Sequence, residues 1–308
     1  MMNIVLQIEN LSFKYGKLKA LDNISINLEP GVYGLLGPNG AGKSTLIKTI
    51  LGFLKPYAGT GKILNYDLKD VREIRKRIGY MPENDSMIAG LDGVTFVSYL
   101  AELSGISPDK AKKRAHDVLF FVGLEEERYR KTEQYSSGMK QKLKLAQAIV
   151  HSPELLLLDE PTSGMDPQGR KDLIKLIKTI SEEENITIIY SSHLLADIEE
   201  ACEKVIIMNK GKILTVDSIE NLKKRDYNSY ELKLKNNIDN FLIKIKDLGM
   251  KYDLNSKGIY TLIVPKDFPV KELFKIAYNE GTQIRYFKNR RSTLEQKFLK
   301  LIGETNGN

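Results

Sequence analysis

The sequence is poor in the residues that form cross-links or bind transition metals. Its 308 residues include one cysteine, Cys202, and three histidines. A single cysteine excludes an intramolecular disulfide. Together with only three scattered histidines, it argues against a zinc site built from cysteine and histidine. Cys202 follows ADIEEA in a predicted helix, where we expect a buried thiol rather than a reactive one.

Long apolar segments are also lacking. No run approaches the roughly 18 to 20 consecutive apolar residues that are needed to cross a bilayer. The first residues, MMNIVLQIEN, contain no basic region followed by an apolar stretch, so they do not resemble a secretory signal. With the near absence of cysteine, these features predict a cytosolic protein.

Positive charge is concentrated in the C-terminal third. Residues 218–308 contain 18 Lys and Arg against 11 Asp and Glu, whereas residues 1–217 contain 29 of each. This change predicts a domain boundary near Asp217. A basic surface could contact nucleic acid, anionic lipid or an acidic partner. The lysines are spread over several elements, however, which favours an ordinary solvated surface.

Strand and helix patterns alternate through residues 1–217. Two partly alternating segments at the start predict an antiparallel layer. PELLLLDEP and ITIIYSSH are apolar runs typical of strands that are buried on both faces of a parallel sheet. The segment KSTLIKTILGFL predicts a helix that extends to Pro56. From about Leu91 to Ile149 the pattern predicts mostly helix. The pattern therefore predicts an α/β fold with a mostly parallel sheet core, an antiparallel β layer and a helical insertion.

The residues after Asp217 follow a different order. They predict a strand, a helix, a hairpin that turns near Lys257–Gly258, a second helix, a strand and a final helix. The βαββαβ order is typical of a small ferredoxin-like α+β domain. We therefore expect an accessory domain over residues 218–308.

A glycine-rich loop lies between an apolar strand and a helical segment. Residues 37–44, GPNGAGKS, fit the pattern GxxxxGK[ST] in the strand–loop–helix context that this motif requires. Glycines allow backbone N–H groups to surround phosphate oxygens, and the new helix directs its positive end to the same place. We expect Lys43 to bind the β- and γ-phosphates and Ser44 to bind Mg²⁺. The predicted phosphate-binding residues are Gly37, Pro38, Asn39, Gly40, Ala41, Gly42, Lys43, Ser44 and Thr45.

An apolar strand, LLLLDE, ends in two carboxylates. Alone, this pattern is as typical of a core strand that ends at a charged turn as of a catalytic site. It follows the phosphate loop by about 115 residues, however, and a strand of this kind would bring Asp159 to the edge of the sheet beside that loop. We therefore predict that Asp159 holds Mg²⁺ and that Glu160 orients or deprotonates the attacking water.

The segment YSSGMKQ precedes a helix about 20 residues before the acidic strand. In isolation, serine and glycine at this position indicate only a helix N-cap. Here they would present N–H groups at a second helix N-terminus, although the first loop already fills the local site. Ser136 and Gly138 are therefore predicted to contact a nucleotide held by another subunit.

Together, the motifs of residues 1 to about 217 resemble those of ATP-binding cassette (ABC) ATPases. GPNGAGKS is similar to the Walker A loop, LLLLDE to the Walker B strand and YSSGM to the ABC signature. In that family the signature contacts the γ-phosphate of a nucleotide bound by the opposing subunit. The resemblance implies an ABC nucleotide-binding domain at 1–217, with a helical subdomain at about 84–150, and ATP and Mg²⁺ as cofactors.

The resemblance also assigns residues outside these three motifs. Asp166, in SGMD, corresponds to the D-loop, and His193 to the switch histidine that hydrogen-bonds the γ-phosphate. Tyr15 corresponds to the aromatic residue that stacks on adenine. The implied catalytic residues are Lys43, Glu160 and His193.

Two positions depart from the family pattern. Glu83 stands where glutamine usually contacts Mg²⁺ and water and links the core to the helical insertion. Its carboxylate would place a charge near the metal. The signature has Ser137 in place of glycine and Met139 in place of glutamine. Because Glu160 and His193 are both present, we predict ATP hydrolysis rather than binding alone.

Three further segments resemble those of ABC-2-type ATPases that export drugs, peptides or antibiotics. They are SSGMKQKL, IGYMPE and the terminal TLEQKFLKL. This resemblance implies a separate integral-membrane permease that docks on the helical insertion, and a second nucleotide-binding subunit, with a homodimer permitted. It also implies a location on the inner face of the cell membrane.

Two other classes remain possible at this point. A soluble ABC ATPase acting on the ribosome or on DNA is the main alternative. ABC ATPases that act on the ribosome as translation factors generally carry two cassettes in one chain, however, whereas this sequence has one phosphate loop. ABC ATPases of DNA repair contain long coiled coils or zinc motifs, and the sequence shows neither. We therefore do not expect nucleic acid as a partner. A regulatory module that binds ATP without turnover is disfavoured by Glu160.

Overall fold

The computed structural model of the chain describes residues 4–223, 227–289 and 293–306. The chain divides into two compact units, one formed by Met1–Ile219 with Leu301–Asn308 and the other by Glu220–Lys300. All the motifs that suggest nucleotide chemistry lie in the first unit.

A six-stranded sheet forms the centre of the first unit. Its strands are β3 (Val32–Leu36), β6 (Ile78–Met81), β7 (Leu155–Asp159), β8 (Thr187–Ser192), β9 (Lys204–Asn209) and β10 (Lys212–Ser218). They lie in the order β10-β9-β3-β8-β7-β6, and only β10 runs antiparallel to its neighbour. Every residue of β7 and β8 is buried, as continuous apolar runs predict. The parallel strands bring the ends of β3, β7 and β8 to the same edge of the sheet.

A second sheet supplies the antiparallel layer. Its strands are β1 (Leu6–Tyr15), β2 (Leu18–Leu28), β4 (Ala58–Ile63) and β5 (Tyr66–Asp67), in the order β2-β1-β4-β5. Apolar side chains of this layer, such as Leu6 and Leu21, join those of the central sheet, such as Leu35 and Leu157, in one buried cluster. Burial of this cluster fixes the β1–β2 hairpin against the core.

Seven α-helices of the described residues lie entirely within the first unit. They are α1 (Lys43–Ile50), α2 (Val71–Arg75), α3 (Gly93–Leu103), α4 (Pro108–Phe121), α5 (Ser137–Ile149), α6 (Pro167–Glu184) and α7 (Leu195–Ala201). Helices α3, α4 and α5 contact one another and form the helical insertion. The prediction that α1 extends to Pro56 is wrong, because the helix ends at Ile50. Gly52 adopts a φ of 69°, the left-handed conformation that commonly terminates helices.

The second unit contains a four-stranded antiparallel sheet in the order β12-β13-β11-β14. Its elements are β11 (Tyr227–Lys235), α9 (Ile238–Asp247), β12 (Lys251–Leu254), β13 (Tyr260–Pro265), α10 (Val270–Asn279) and β14 (Gln283–Asn289). Helices α8 (Ile219–Lys223) and α11 (Leu294–Asn306) have residues in both units. From β11 to β14 the elements follow the βαββαβ order. Phe241 of α9, Leu273 of α10 and Val264 of β13 are fully buried together in a separate hydrophobic core.

Candidate nucleotide-binding site

The glycine-rich loop connects β3 to α1, and its backbone packs too closely for side chains. A Cβ added to Gly37 would lie 2.5 Å from the carbonyl oxygen of Met208, and one added to Gly42 would lie 2.6 Å from that of Ala20. Gly42 also has a φ of 105°, which favours glycine. The sequence requirement for glycine at these two positions is therefore steric, and it leaves the loop backbone free to face a phosphate group.

Lys43 is the first residue of α1 and is buried. Its Nζ donates hydrogen bonds to the carbonyl oxygens of Gly37, at 2.7 Å, and Pro38, at 3.4 Å. Burial lowers the pKa of Lys43, while nearby carboxylates favour its charged form. These carboxylates belong to Glu160, Asp159 and Glu83. The ammonium group is thus held across the loop, where it can bind a negatively charged ligand.

Asp159 ends β7 and is buried. Its Oδ1 has no hydrogen-bond partner among the described residues. Burial raises the pKa of this carboxyl, and the nearby hydroxyl groups of Ser191 and Ser44 oppose the increase. A buried carboxylate oxygen without a partner, near a serine hydroxyl, fits a hard cation such as Mg²⁺, which prefers oxygen ligands.

Protein carboxylates alone do not form a cation cage. Among the described residues, no group of three or more histidine, cysteine, aspartate or glutamate side chains could hold a metal ion. Mg²⁺ is typically bound by one or two protein oxygens together with substrate phosphates. Ser44, Glu83 and Asp159, which line one cleft, suit this arrangement.

Glu160 follows β7 in an unusual backbone conformation. Its φ is 49°, in the left-handed region, and its N–H donates to the carbonyl oxygen of Ser191 at 3.0 Å. The side chain is 12% exposed and its Oε2 lies 2.8 Å from His193 Nδ1. Burial raises the pKa of Glu160, and His193 opposes that increase. The contact with His193 fixes the orientation of the carboxylate, and the raised pKa makes it a better proton acceptor, as a general base requires.

One cleft of about 630 Å³ brings most of the predicted residues together. Those lining it are Tyr15, Asn39, Gly40, Ala41, Gly42, Lys43, Ser44, Thr45, Glu83, Asp159, Glu160 and His193. Gly37 and Pro38 do not line it, but their carbonyl groups hold Lys43. Tyr15 is 47% exposed, with its ring 4.8 Å from that of Phe13, and lies at the end of β1.

Ser163, the first residue of SGMD, also lines the cleft, and sequence reasoning missed four further residues: Leu18, Lys19, Ala20 and Lys210. Most belong to hairpins that are distant in sequence from the phosphate loop. The N–H of Gly211 donates to Ala41 O at 2.9 Å, and the N–H of Asp22 donates to Gly211 O at 2.8 Å. These bonds draw the β9–β10 turn and the β1–β2 hairpin against the loop. In the sequence, the dipeptide Lys210–Gly211 indicates a hairpin turn at one of these positions.

The remaining predicted residues lie outside the cleft. Ser136 caps α5, where its Oγ accepts a hydrogen bond from the N–H of Met139 at 3.3 Å. Gly138 lies in the first turn of the same helix. Asp166 caps α6, where its Oδ1 accepts from the N–H of Gly169 at 2.7 Å. Within one chain, therefore, these three residues do not share the cleft with Lys43.

A buried polar network supports the segment after Glu160. Thr162 Oγ1 donates to Asp197 Oδ2 at 2.6 Å, and the hydroxyl of Tyr190 donates to Thr162 Oγ1 at 3.3 Å. Arg170 Nη1 lies 3.9 Å from Asp197 Oδ1. Asp197 belongs to α7, the helix that follows His193. The network therefore fixes the chain after Glu160 relative to the chain after His193, and sequence analysis did not identify it.

The phosphate loop, the buried acidic strand end and the parallel sheet define a P-loop nucleoside triphosphate-binding protein. The sequence matches the ABC transporter family over residues 21–163. It is 36% identical to the bacitracin transport ATP-binding protein BcrA of Bacillus licheniformis over 306 residues, which are 98% of each chain. It is also 31% identical to the linearmycin resistance ATP-binding protein LnrL of Bacillus subtilis, over 98% of this chain and 99% of LnrL.

Solved cassettes share the fold of the first unit. The structure of cbiO1 from Clostridium perfringens, part of an ABC transporter complex, has a TM-score of 0.65 and 29% identity, over 70% of this chain and 89% of cbiO1. The dimeric cassette MJ0796, bound to ADP and Pi after hydrolysis, has a TM-score of 0.63 and 25% identity, over 69% of this chain and 98% of MJ0796.

The chain belongs to the ABC transporter family of ATP-binding proteins. This membership confirms the predicted α/β cassette fold, ATP and Mg²⁺ as cofactors, and ATP hydrolysis in the service of transport. None of the helices in the described part of the chain is long and apolar enough to cross a membrane.

Proposed function

We propose that this chain hydrolyses ATP between two copies of itself and thereby drives a separate membrane permease that exports a peptide or lipid-like antibiotic. Support for the substrate class comes from relatives matched over almost their whole length and named for bacitracin transport and linearmycin resistance. Under this proposal the chain is peripheral to the inner face of the membrane, where the permease binds it.

The proposed roles follow from the geometry of the cleft. The loop amides and Lys43 bind the phosphates of ATP, and Tyr15 stacks on adenine. Ser44, Asp159 and Glu83 would hold Mg²⁺, which when bound would supply positive charge to the phosphate oxygens. Glu160 orients water and accepts its proton, while His193 keeps the Glu160 carboxylate in place.

A second copy supplies the groups that the cleft lacks. Ser136 and Gly138, at the start of α5, present backbone N–H groups at a helix N-terminus, which favours binding of a phosphate. Asp166 caps α6, and Gln141 Nε2 of α5 donates to the carbonyl oxygen of Ser163, three residues before Asp166, at 2.9 Å. We propose that this surface of one copy closes over the γ-phosphate bound by the other.

The contact of 2.8 Å between His193 Nδ1 and Glu160 Oε2 carries the proposal that Glu160 is the base in hydrolysis. It places a restrained carboxylate in the same cleft as Lys43 and Asp159. A protein that only bound ATP would have no need for this arrangement.

The test is to measure ATP binding and ATP turnover by the purified chain and three variants. We expect Glu160→Gln to bind ATP but to lose about 100-fold or more in turnover. Lys43→Met should lose ATP binding, whereas Lys48→Met, an exposed lysine on the same helix, should behave as the parent. Equal turnover by the parent and Glu160→Gln would refute catalysis by this carboxylate.

Export is tested in cells. Deletion of the chain should increase sensitivity to a bacitracin-like peptide or a linearmycin-like lipid, and the parent gene should restore resistance while Glu160→Gln should not. Affinity purification from detergent-solubilised membranes should recover a multi-span subunit with the chain. Recovery of ribosomes or DNA in its place would refute the transport proposal.

A further inference from the structure

Lys144, in α5, is completely buried. Its side chain is 1% exposed, although lysine is rarely found in the interior unless it is paired. Its Nζ donates to the backbone carbonyl oxygen of Glu83 at 2.8 Å and lies 3.8 Å from Asp85 Oδ1. Burial lowers the pKa of Lys144, while the carboxylates of Asp85 and Glu83 favour its charged form.

Asp85 connects Lys144 to a second lysine of the same helix. Lys140 Nζ lies 3.0 Å from Asp85 Oδ2, and residues four positions apart share one face of a helix. Lys140 and Asp85 are partly exposed, so their ion pair contributes little stability. The buried Lys144 makes the stronger attachment between α5 and residues 82–87, which we call the 82–87 loop.

The 82–87 loop and helix α5, which Lys144 joins, have different proposed roles. Glu83 lines the nucleotide cleft, where it would face Mg²⁺. Helix α5 begins at Ser137 and is capped by Ser136, which would contact the nucleotide of the second copy. Lys144 lies eight residues after Ser136, about 12 Å along the helix axis. One ammonium group therefore joins the backbone of a cleft residue to the helix that serves the opposite cleft.

We propose that Lys144 is a positioning residue that fixes Glu83 in the nucleotide cleft and makes the position of Glu83 depend on that of α5. The inference rests on the proposed function, in which Glu83 and Ser136 serve two different nucleotides. Movement of α5 as two copies close would then be transmitted to Glu83 through its backbone.

The variant Lys144→Met tests this role, with Lys142→Met as the matched control. Lys142 is on the same helix and also donates to a backbone carbonyl, that of Gly123 at 3.1 Å, but among the described residues its side chain forms no hydrogen bond or ion pair with the 82–87 loop. Two quantities are measured: amide hydrogen exchange of the 82–87 loop without added nucleotide, and the Mg²⁺ concentration that gives half-maximal ATPase activity.

We expect Lys144→Met to accelerate exchange in the 82–87 loop about tenfold, because the loop loses its anchor to α5. The half-maximal Mg²⁺ concentration should rise about tenfold, a typical effect of losing support for a metal ligand. Lys142→Met should change neither quantity. A Lys144→Met protein that has a lower melting temperature but parental loop exchange and Mg²⁺ dependence would overturn the proposal.

If Lys144→Met does not fold, Asp85→Asn provides the second test. It weakens the charge partner of Lys144 and should shift both quantities in the same direction by a smaller factor; no shift in either would reject the role. Hydrogen exchange does not depend on turnover. Failure of the proposed function would therefore appear as an inactive parent chain, and failure of this inference as an unchanged loop in an active one.

Discussion

His193 Nδ1 lies 2.8 Å from Glu160 Oε2 at the edge where β7 and β8 end. The imidazole is more exposed than the carboxylate, with 56% against 12% of each side chain accessible. The histidine is thus the outer partner of the pair. It can restrain Glu160 while its other ring nitrogen remains available to a ligand in the cleft.

Replacing His193 with alanine should reduce turnover about 100-fold, because Glu160 would lose the partner that orients it. ATP affinity should change little, since the phosphate loop and Lys43 remain intact. Steady-state kinetics and equilibrium binding of ATP measure the two effects separately. His116→Ala, at a partly buried histidine of the helical insertion, is the control and should match the parent. A loss of binding that equals the loss of turnover would contradict a role for His193 in orienting the base.

Burial of Glu160 should make stability depend on pH. The pKa of this group in the folded protein is raised above the ordinary value of 4.5, so the folded state disfavours its ionised form. At about pH 8 the group is ionised in both states, and Glu160→Gln should increase the free energy of unfolding by about 1 kcal/mol. At about pH 4 the folded and unfolded states both bind the proton, and the advantage should largely disappear.

Urea denaturation at the two pH values measures this difference. Glu183→Gln, an exposed position on α6, serves as the control and should have little effect at either pH. A gain from Glu160→Gln that is equally large under acid conditions would show that its cause is not the ionised carboxylate.

The buried bond between Thr162 and Asp197 should stabilise the fold. Asp197→Ala should lower the free energy of unfolding by about 3 kcal/mol, because Thr162 and Arg170 would lose a buried partner. Thr162→Val should also destabilise, by leaving the carboxylate without its donor. The double variant should cost less than the sum of the two by roughly 1 kcal/mol or more, as expected for residues in contact. Strict additivity in urea denaturation would contradict this account.

If the nucleotide is shared between two copies, inactive variants should complement each other. Lys43→Ala disables the phosphate loop, and Ser136→Arg disables the surface offered to the partner. Mixed one to one, they should recover about a quarter of the parent ATPase activity, because half of the dimers are mixed and each has one intact site of two. Lys43→Ala mixed with Glu160→Gln should recover nothing, since both changes act on the site of their own chain. No recovery in the first mixture would contradict the shared site.

Much of the candidate site could be predicted because its parts are encoded locally. The loop from Gly37 to Ser44 carries in eight residues both the conformations and the groups that surround a phosphate. Asp159 and Glu160 follow a run of four leucines, which identifies a buried strand without reference to the rest of the chain. The parallel order of strands then brings these segments to one edge of the sheet.

Other features depend on contacts between distant segments, which periodic patterns do not describe. The bond from Lys144 to Glu83 spans 61 residues, and Lys144 occupies an otherwise ordinary position in an amphipathic helix. The bond between Thr162 and Asp197 spans 35 residues. The early end of α1 follows from Gly52, whose added Cβ would lie 2.6 Å from Val71, a residue of the next helix. In each case tertiary packing decided what local preference left open.

The left-handed backbone at Glu160 has a consequence for attempts to make this protein more robust. Holding a non-glycine residue in that conformation costs about 1 to 3 kcal/mol of stability. A residue that adopts this conformation more readily should therefore make the fold more stable. In a library of variants selected only for thermal stability, glycine or asparagine should replace Glu160. The selected variants should be more stable than the parent but should lack ATPase activity. Glutamate should be retained at this position only when the variants are also selected for ATP hydrolysis.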